Sequence, residues 1–117
     1  QRAGARRIPA RLRTTYSRAF GRRMNFTPDI SQTGVSLGCR SPAPIKSQLA
    51  MEIVFPGTIG TFSLQGSVVR HIEDDRGIGM AVSLTFSNET ERYELAGALR
   101  RLEKLLLAGN LPEQHLY

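Results

Sequence analysis

The 117-residue chain is 40% hydrophobic and 22% charged, an ordinary balance for one soluble-type globular domain. No apolar run approaches the roughly 20 residues of a membrane-spanning helix, no signal peptide is visible, and a lone Cys39 excludes an internal disulfide and fits a reducing compartment. The net charge of +6 is uneven: residues 1–23 hold eight arginines and no acid, whereas the remainder is slightly acidic.

Residues 1–7 lack apolar periodicity and read as an arginine-rich arm. From Ile8 the pattern alternates through Ala10, Leu12, Thr14 and Tyr16, which predicts a half-buried strand. The glycine-containing Arg-Ala-Phe-Gly-Arg-Arg stretch reads as a hairpin, and a second strand is expected from about Arg23 to Ile30. A turn follows, then a strand over Val35–Cys39 with Cys39 as a buried filler. The two prolines of residues 40–47 mark a loop. Gln48–Phe55 alternates with Leu49, Met51, Ile53 and Phe55 on one face, and Thr61–Ile72 with Phe62, Leu64, Gly66 and Val68. Residues 73–77 suit a hairpin loop, and Ile78–Phe86 alternates as a sixth strand.

The period then changes. Leu95, Leu99, Leu102 and Leu106 recur at helical spacing, widened by Ala98 and Leu105. Asn88-Glu89-Thr90-Glu91 resembles a capping box, and Gly109 is a natural stop. The expectation is an all-β domain with a terminal helix. It divides into an arm at 1–7, a six-stranded antiparallel β-barrel at 8–86, an amphipathic helix at 87–109 and a tail at 110–117.

Catalysis finds no foothold. There is no P-loop, no G-x-G-x-x-G and no suggestive Ser/His/acid set; His71 is mid-strand, expected to face solvent, and His115 is in the tail. Neither histidine has partners at metal-ligand spacing, so no metal and no enzyme activity are expected.

Two features exceed what folding needs. One is the arm, whose cations are all arginine, the residue whose planar fork suits phosphates and the guanine edge. The other is Asp29-Ile30-Ser31-Gln32-Thr33-Gly34 at the end of the second strand. Antiparallel pairing of the first two strands would bring arm and turn together. A carboxylate accepts from the guanine N1–H and N2–H2 edge, a hydroxyl donates to phosphate, and Gly34 permits positive φ or close backbone approach. The competing reading is a turn in which Asp29 and Ser31 cap their own backbone.

Arg2-Ala-Gly-Ala-Arg6 followed by Asp-x-Ser-x-x-Gly resembles the signature of the PilZ domain, the bacterial receptor domain for cyclic diguanylate (cyclic di-GMP). The later Gly66–His71 and Gly77–Phe86 segments resemble that family's closing strands, and residues 1–13 are somewhat similar to the PilZ domains of alginate co-polymerases. The resemblance implies a six-stranded barrel, no cofactor, and cyclic di-GMP as ligand, expected as a stacked pair. It implies Arg2, Arg6, Arg7, Asp29, Ser31 and Gly34 as ligand-binding residues. The spacing R-x-x-x-R also recurs as Arg7–Arg11, which fits an arm less well because Arg11 falls inside the alternating strand.

The implied role is a non-catalytic receptor in motility, biofilm or exopolysaccharide control that acts on a protein effector or attached domain. It is expected in the cytoplasm, or as the cytosolic domain of a larger membrane protein. The chain starts at Gln1, compatible with a piece of something longer. The rivals are a small basic barrel binding single-stranded nucleic acid and a PilZ-like protein-interaction module without ligand. The first is disfavoured by only 7% aromatics, mostly on core faces, and the second by the intact motif.

Overall fold

The computed structural model describes residues 7–18, 21–75 and 77–108. Six strands form: β1 (Ile8–Arg18), β2 (Gly21–Ile30), β3 (Gly34–Gly38), β4 (Gln48–Phe55), β5 (Gly60–Asp74) and β6 (Gly77–Thr85). One helix follows, α1 (Glu89–Ala108). The strands close into an antiparallel barrel in the order β1-β2-β3-β6-β5-β4. Each strand has a neighbour on both sides, although β2 meets β3 only through Asp29 and Ile30.

Alternation dictates the core. Ile8, Ala10, Leu12 and Tyr16 of β1 and Leu49, Met51, Ile53 and Phe55 of β4 all point inward and are buried. Two hydroxyls share this interior. Thr14 and Thr27 are fully buried, and their Oγ1 atoms lie 2.6 Å apart across the β1–β2 pair. Thr14 Oγ1 also donates to the Leu12 carbonyl at 3.3 Å, so each hydroxyl has a partner without water.

The helix begins as the capping pattern foretells. Asn88 Oδ1 accepts from the Glu91 amide at 3.0 Å. The reciprocal bond is displaced by one residue: Glu91 Oε1 accepts from the Ser87 amide, at 2.8 Å, rather than from Asn88. The buried stripe Leu95, Ala98, Leu99 and Leu102 joins the barrel core, with Phe86 and Leu106 packed against it. Gly109 as a helix stop, the 110–117 tail, His115, and residues 1–6 of the arm lie outside the described residues.

Two pairing irregularities depart from simple alternation. In β1–β2 the register runs Pro9↔Asp29 and then Leu12↔Thr27, so Ala10 and Arg11 oppose the single Pro28. Proline has no amide hydrogen to give to a ladder, and a bulge absorbs that lack. In β5–β6 it runs Val68↔Val82 and then Arg70↔Ala81, leaving Val69 as an extra residue. Before this bulge Leu64, Gly66 and Val68 are buried; after it residues 69–74 are exposed or half-buried.

His71 is exposed, as expected, whereas Ile78 corrects an expectation. His71 pairs with the fully buried Met80, and its Nε2 lies 2.7 Å from the carbonyl of buried Ala43. It therefore ties the 39–47 loop to β5 while remaining exposed to solvent. Ile78, expected on the inner face of β6, is 45% exposed near the hairpin tip, where the strands run past the barrel.

Candidate functional site

The N-terminal end of β1 and the C-terminal end of β2 meet, as antiparallel pairing requires, with Pro9 beside Asp29. Arg7, immediately before β1, places Nη1 2.6 Å from Asp29 Oδ1. The same oxygen accepts from Ser36 Oγ on β3 at 3.2 Å. Among the described residues, Oδ2 carries no hydrogen bond. Asp29 thus spends one oxygen on fixing Arg7 and β3 and presents the other. Among the described residues it makes no hydrogen bond to the backbone of its own turn.

For Ser31 the turn reading holds. Its hydroxyl is 1% exposed as part of a buried residue and accepts from the amides of Thr33 and Gly34, both at 3.2 Å. It also reaches the Gly34 carbonyl at 3.3 Å, which accepts from the Ser31 amide at 2.9 Å. Ser31 is the peg of the turn, set beneath its surface.

Gly34 serves by close approach and not by positive φ, which is found at Gly57, Gly60 and Gly77. A Cβ at Gly34 would sit 3.0 Å from the Val82 carbonyl and 3.7 Å from Arg7 Nη2. The bare backbone lets β3 lie tight on β6 and leaves room for the Arg7 guanidinium.

Arg7 and Asp29 border an open cleft of about 730 Å³. One wall comes from β1 and β2 through Pro9, Arg11, Phe26 and Pro28. Ser36 and Gly38 of β3 contribute the floor, and the β5–β6 hairpin contributes Arg70, Ile72, Asp74 and Ile78. Ser31 and Gly34 do not line the cleft. Arg11 lies over the Phe26 ring, 4.5 Å from its centroid, a cation–π contact that holds the guanidinium at the wall. The cleft therefore offers three guanidinium groups, two carboxylates and apolar strand surface, which suits a flat polar ring carrying anionic groups.

Of the residues expected from sequence, the structure brings Arg7 and Asp29 together on the cleft and Ser31 and Gly34 together under it. Arg2 and Arg6 lie outside the described residues. Arg11 lines the cleft from within the strand, so the Arg7–Arg11 spacing puts two arginines there. Arg70 and Phe26 escaped sequence reading. The one signal for Arg70 is the adjacent pair Val68-Val69, which interrupts strict alternation just before the arginine. Among the described residues no cluster of metal-ligating side chains occurs.

No curated protein sequence matches the chain. Among solved structures, the PilZ domain of YcgR from Escherichia coli, determined with c-di-GMP, is 17% identical with a TM-score of 0.72, covering 95% of this chain and 100% of that one. The PilZ domain of CeSA from a cellulose-synthesizing bacterium is 21% identical with a TM-score of 0.60, covering 86% and 98%. The Bacillus subtilis inhibitor of motility MotI/DgrA is 17% identical with a TM-score of 0.67; 89% of this chain is covered, and the chain spans about half of MotI/DgrA, 53%. At these identities the likeness is one of fold. The PilZ domain profile matches residues 1–105, nearly the whole chain, and with the barrel and the Asp29–Gly34 turn in place, the chain belongs to the PilZ domain family.

Proposed function

We propose that the chain is a non-catalytic receptor module for cyclic di-GMP. The observation that carries this reading is the Arg7–Asp29 pair at the mouth of the cleft, with Asp29 Oδ2 left to accept from a donor edge. A bare phosphate has no use for that carboxylate; guanine, with adjacent N1–H and N2–H2 donors, does. Arg7, with Arg2 and Arg6 of the arm, takes phosphates and guanine Hoogsteen edges through the bidentate geometry that arginine favours. Ser31 and Gly34 support the turn that aims Asp29. The number of arginines fits a stacked pair of ligands.

Ordering of the arm on binding would change how an attached domain or protein effector sits against the barrel, a population shift driven by ligand contacts that exist in one state only. The output is control of motility, biofilm or exopolysaccharide production in the bacterial cytoplasm, as a separate protein or as the cytosolic part of a longer one. Support for this comes from family membership and from structural neighbours that include an inhibitor of motility and the PilZ domain of CeSA from a cellulose-synthesizing bacterium.

Calorimetric titration with cyclic di-GMP, beside a single-stranded oligonucleotide, tests the reading. Saturable binding of the dinucleotide is expected, with a shallow salt dependence because only two phosphates per ligand are neutralised. Tighter, steeply salt-dependent binding of the oligonucleotide would instead identify a nucleic-acid binder.

A further inference from the structure

One side of α1 is not used by the fold. Leu95, Ala98, Leu99 and Leu102 turn into the barrel core. On the opposite side Tyr93, Gly97, Arg100, Lys104 and Leu107 follow at intervals of four, three, four and three, a single stripe along the helix. Arg101 adjoins it, one turn after Gly97. Tyr93 is 71% and Leu107 81% exposed, the most exposed large hydrophobic side chains among the described residues. Arg100, Arg101 and Lys104 are exposed, and among the described residues none of their side chains makes an ion pair or hydrogen bond. No acid falls on the stripe between Tyr93 and Leu107; Glu94 and Glu103 stand at its borders with the buried side.

Gly97 stands half-buried in the middle of this stripe, where glycine is a poorer helix former than alanine. Its φ is not positive, and a Cβ there would meet only the flexible end of Arg100, with Nη2 at 3.8 Å, an ordinary contact. Nothing among the described residues requires a glycine at this place. A missing Cβ on an outward helix face lets another backbone approach closely, because the side chains at the contact set the distance between packed elements.

We propose that this stripe is the docking surface for an acidic segment of a partner protein. The segment crosses α1 at Gly97, with carboxylates on Arg100, Arg101 and Lys104 and apolar side chains on Tyr93 and Leu107. This rests on the receptor reading above for the existence of an effector and names where it sits. The surface is separate from the cleft, which no residue of α1 lines. Charge selects the occupant. A second copy packing helix to helix would bring the same cations against these. A bilayer surface gains nothing from a glycine, and the apolar side that a helix lays into lipid is here spent on the barrel.

The test places a photocrosslinking residue at this face, Tyr93→p-benzoylphenylalanine, in the full chain within the cells that produce it, and identifies the adducts by mass spectrometry. Expected is one dominant adduct, joined through an acid-rich segment of another protein. It should fall by about tenfold or more when Arg100→Ala and Lys104→Ala are combined. It should fall as far in Gly97→Leu, whose side chain fills the approach while favouring the helix. The purified variants should melt no lower than wild type and bind cyclic di-GMP with wild-type affinity, so a lost adduct reflects neither unfolding nor a lost ligand. Adducts with lipid alone, with a second copy or with a segment poor in acids overturn the proposal. So does the absence of any adduct, or an adduct that survives either substitution. Failure of wild type to bind cyclic di-GMP is seen in the titration and not in the adduct, and it overturns the receptor reading alone.

Discussion

Arg7 Nη1 and Asp29 Oδ1 lie 2.6 Å apart, joining the residue before β1 to the end of β2, and Ser36 Oγ donates to the same carboxylate oxygen from β3. Three chain segments are thus fixed at one atom on the rim of the cleft. The pair is open to solvent, with side-chain exposures of 45% and 25%, and exposed ion pairs contribute only about 0–1 kcal/mol to stability. Its value is in arrangement: it holds a guanidinium over the cleft before any ligand arrives.

Asp29→Asn therefore separates folding from binding. Asparagine keeps an acceptor for Arg7 and Ser36 but replaces the other oxygen with an NH2 that would face guanine donors. A buried donor left without a partner costs about 1–3 kcal/mol. Affinity for cyclic di-GMP should fall in the order wild type, Asn, Ala, while the melting temperature of the Asn variant stays close to wild type. Equal affinity in all three would remove Asp29 from the binding site.

Arg7→Ala should lower affinity by about fivefold to over a hundredfold, the range of one lost bidentate contact of about 1–3 kcal/mol, with little change in the melt. The comparison of interest is Arg6→Ala, in the part of the arm outside the described residues. Losses in both variants mean that the arm binds through consecutive arginines. A loss in Arg7→Ala alone would set the motif at Arg7–Arg11, in register with the residue that meets Asp29.

The barrel was legible because inward-facing residues of β1, β4 and most of β5 repeat every second position, and the helix because Leu95, Leu99 and Leu102 recur at its own period. The ends of the elements and the motif turn were equally readable from Asn88 and from Asp29–Gly34. The second wall of the cleft was not. Arg70 lines the cleft beyond the bulge at Val69, and Arg11 lines it over Phe26 of β2. Such register shifts are decided by pairing between strands, not by periodicity within one. His71 illustrates the same limit, since its tether to Ala43 joins it to a loop distant in sequence.

The buried hydroxyl pair makes a prediction about stability alone. Thr14 Oγ1 donates to the Leu12 carbonyl, which leaves Thr27 Oγ1 to donate to Thr14 across 2.6 Å in a region closed to water. Thr14→Val preserves shape but strands the Thr27 hydroxyl, at a cost of about 1–3 kcal/mol. Thr14→Val combined with Thr27→Val removes both polar groups and should recover most of that loss. Denaturant melts of the two single variants and the double variant measure the coupling; simple additivity would show that the two hydroxyls do not depend on each other.

Ser31→Ala distinguishes support from contact at the turn itself. The Ser31 hydroxyl accepts from two backbone amides, of Thr33 and Gly34, and no solvent reaches it to replace the lost bonds. Alanine leaves those donors short of a partner, so the melting temperature should drop by several degrees, the signature of about 1–3 kcal/mol in a domain of this size. Affinity measured well below the melt should fall as well, because the turn that positions Asp29 loosens, but by less than in Asp29→Ala. A direct contact between the Ser31 hydroxyl and ligand phosphate predicts the reverse pattern: an unchanged melt with binding lost as completely as in Asp29→Ala. Thermal unfolding and calorimetric titration of the same two variants decide between them, and the reverse pattern would move Ser31 from beneath the site into it.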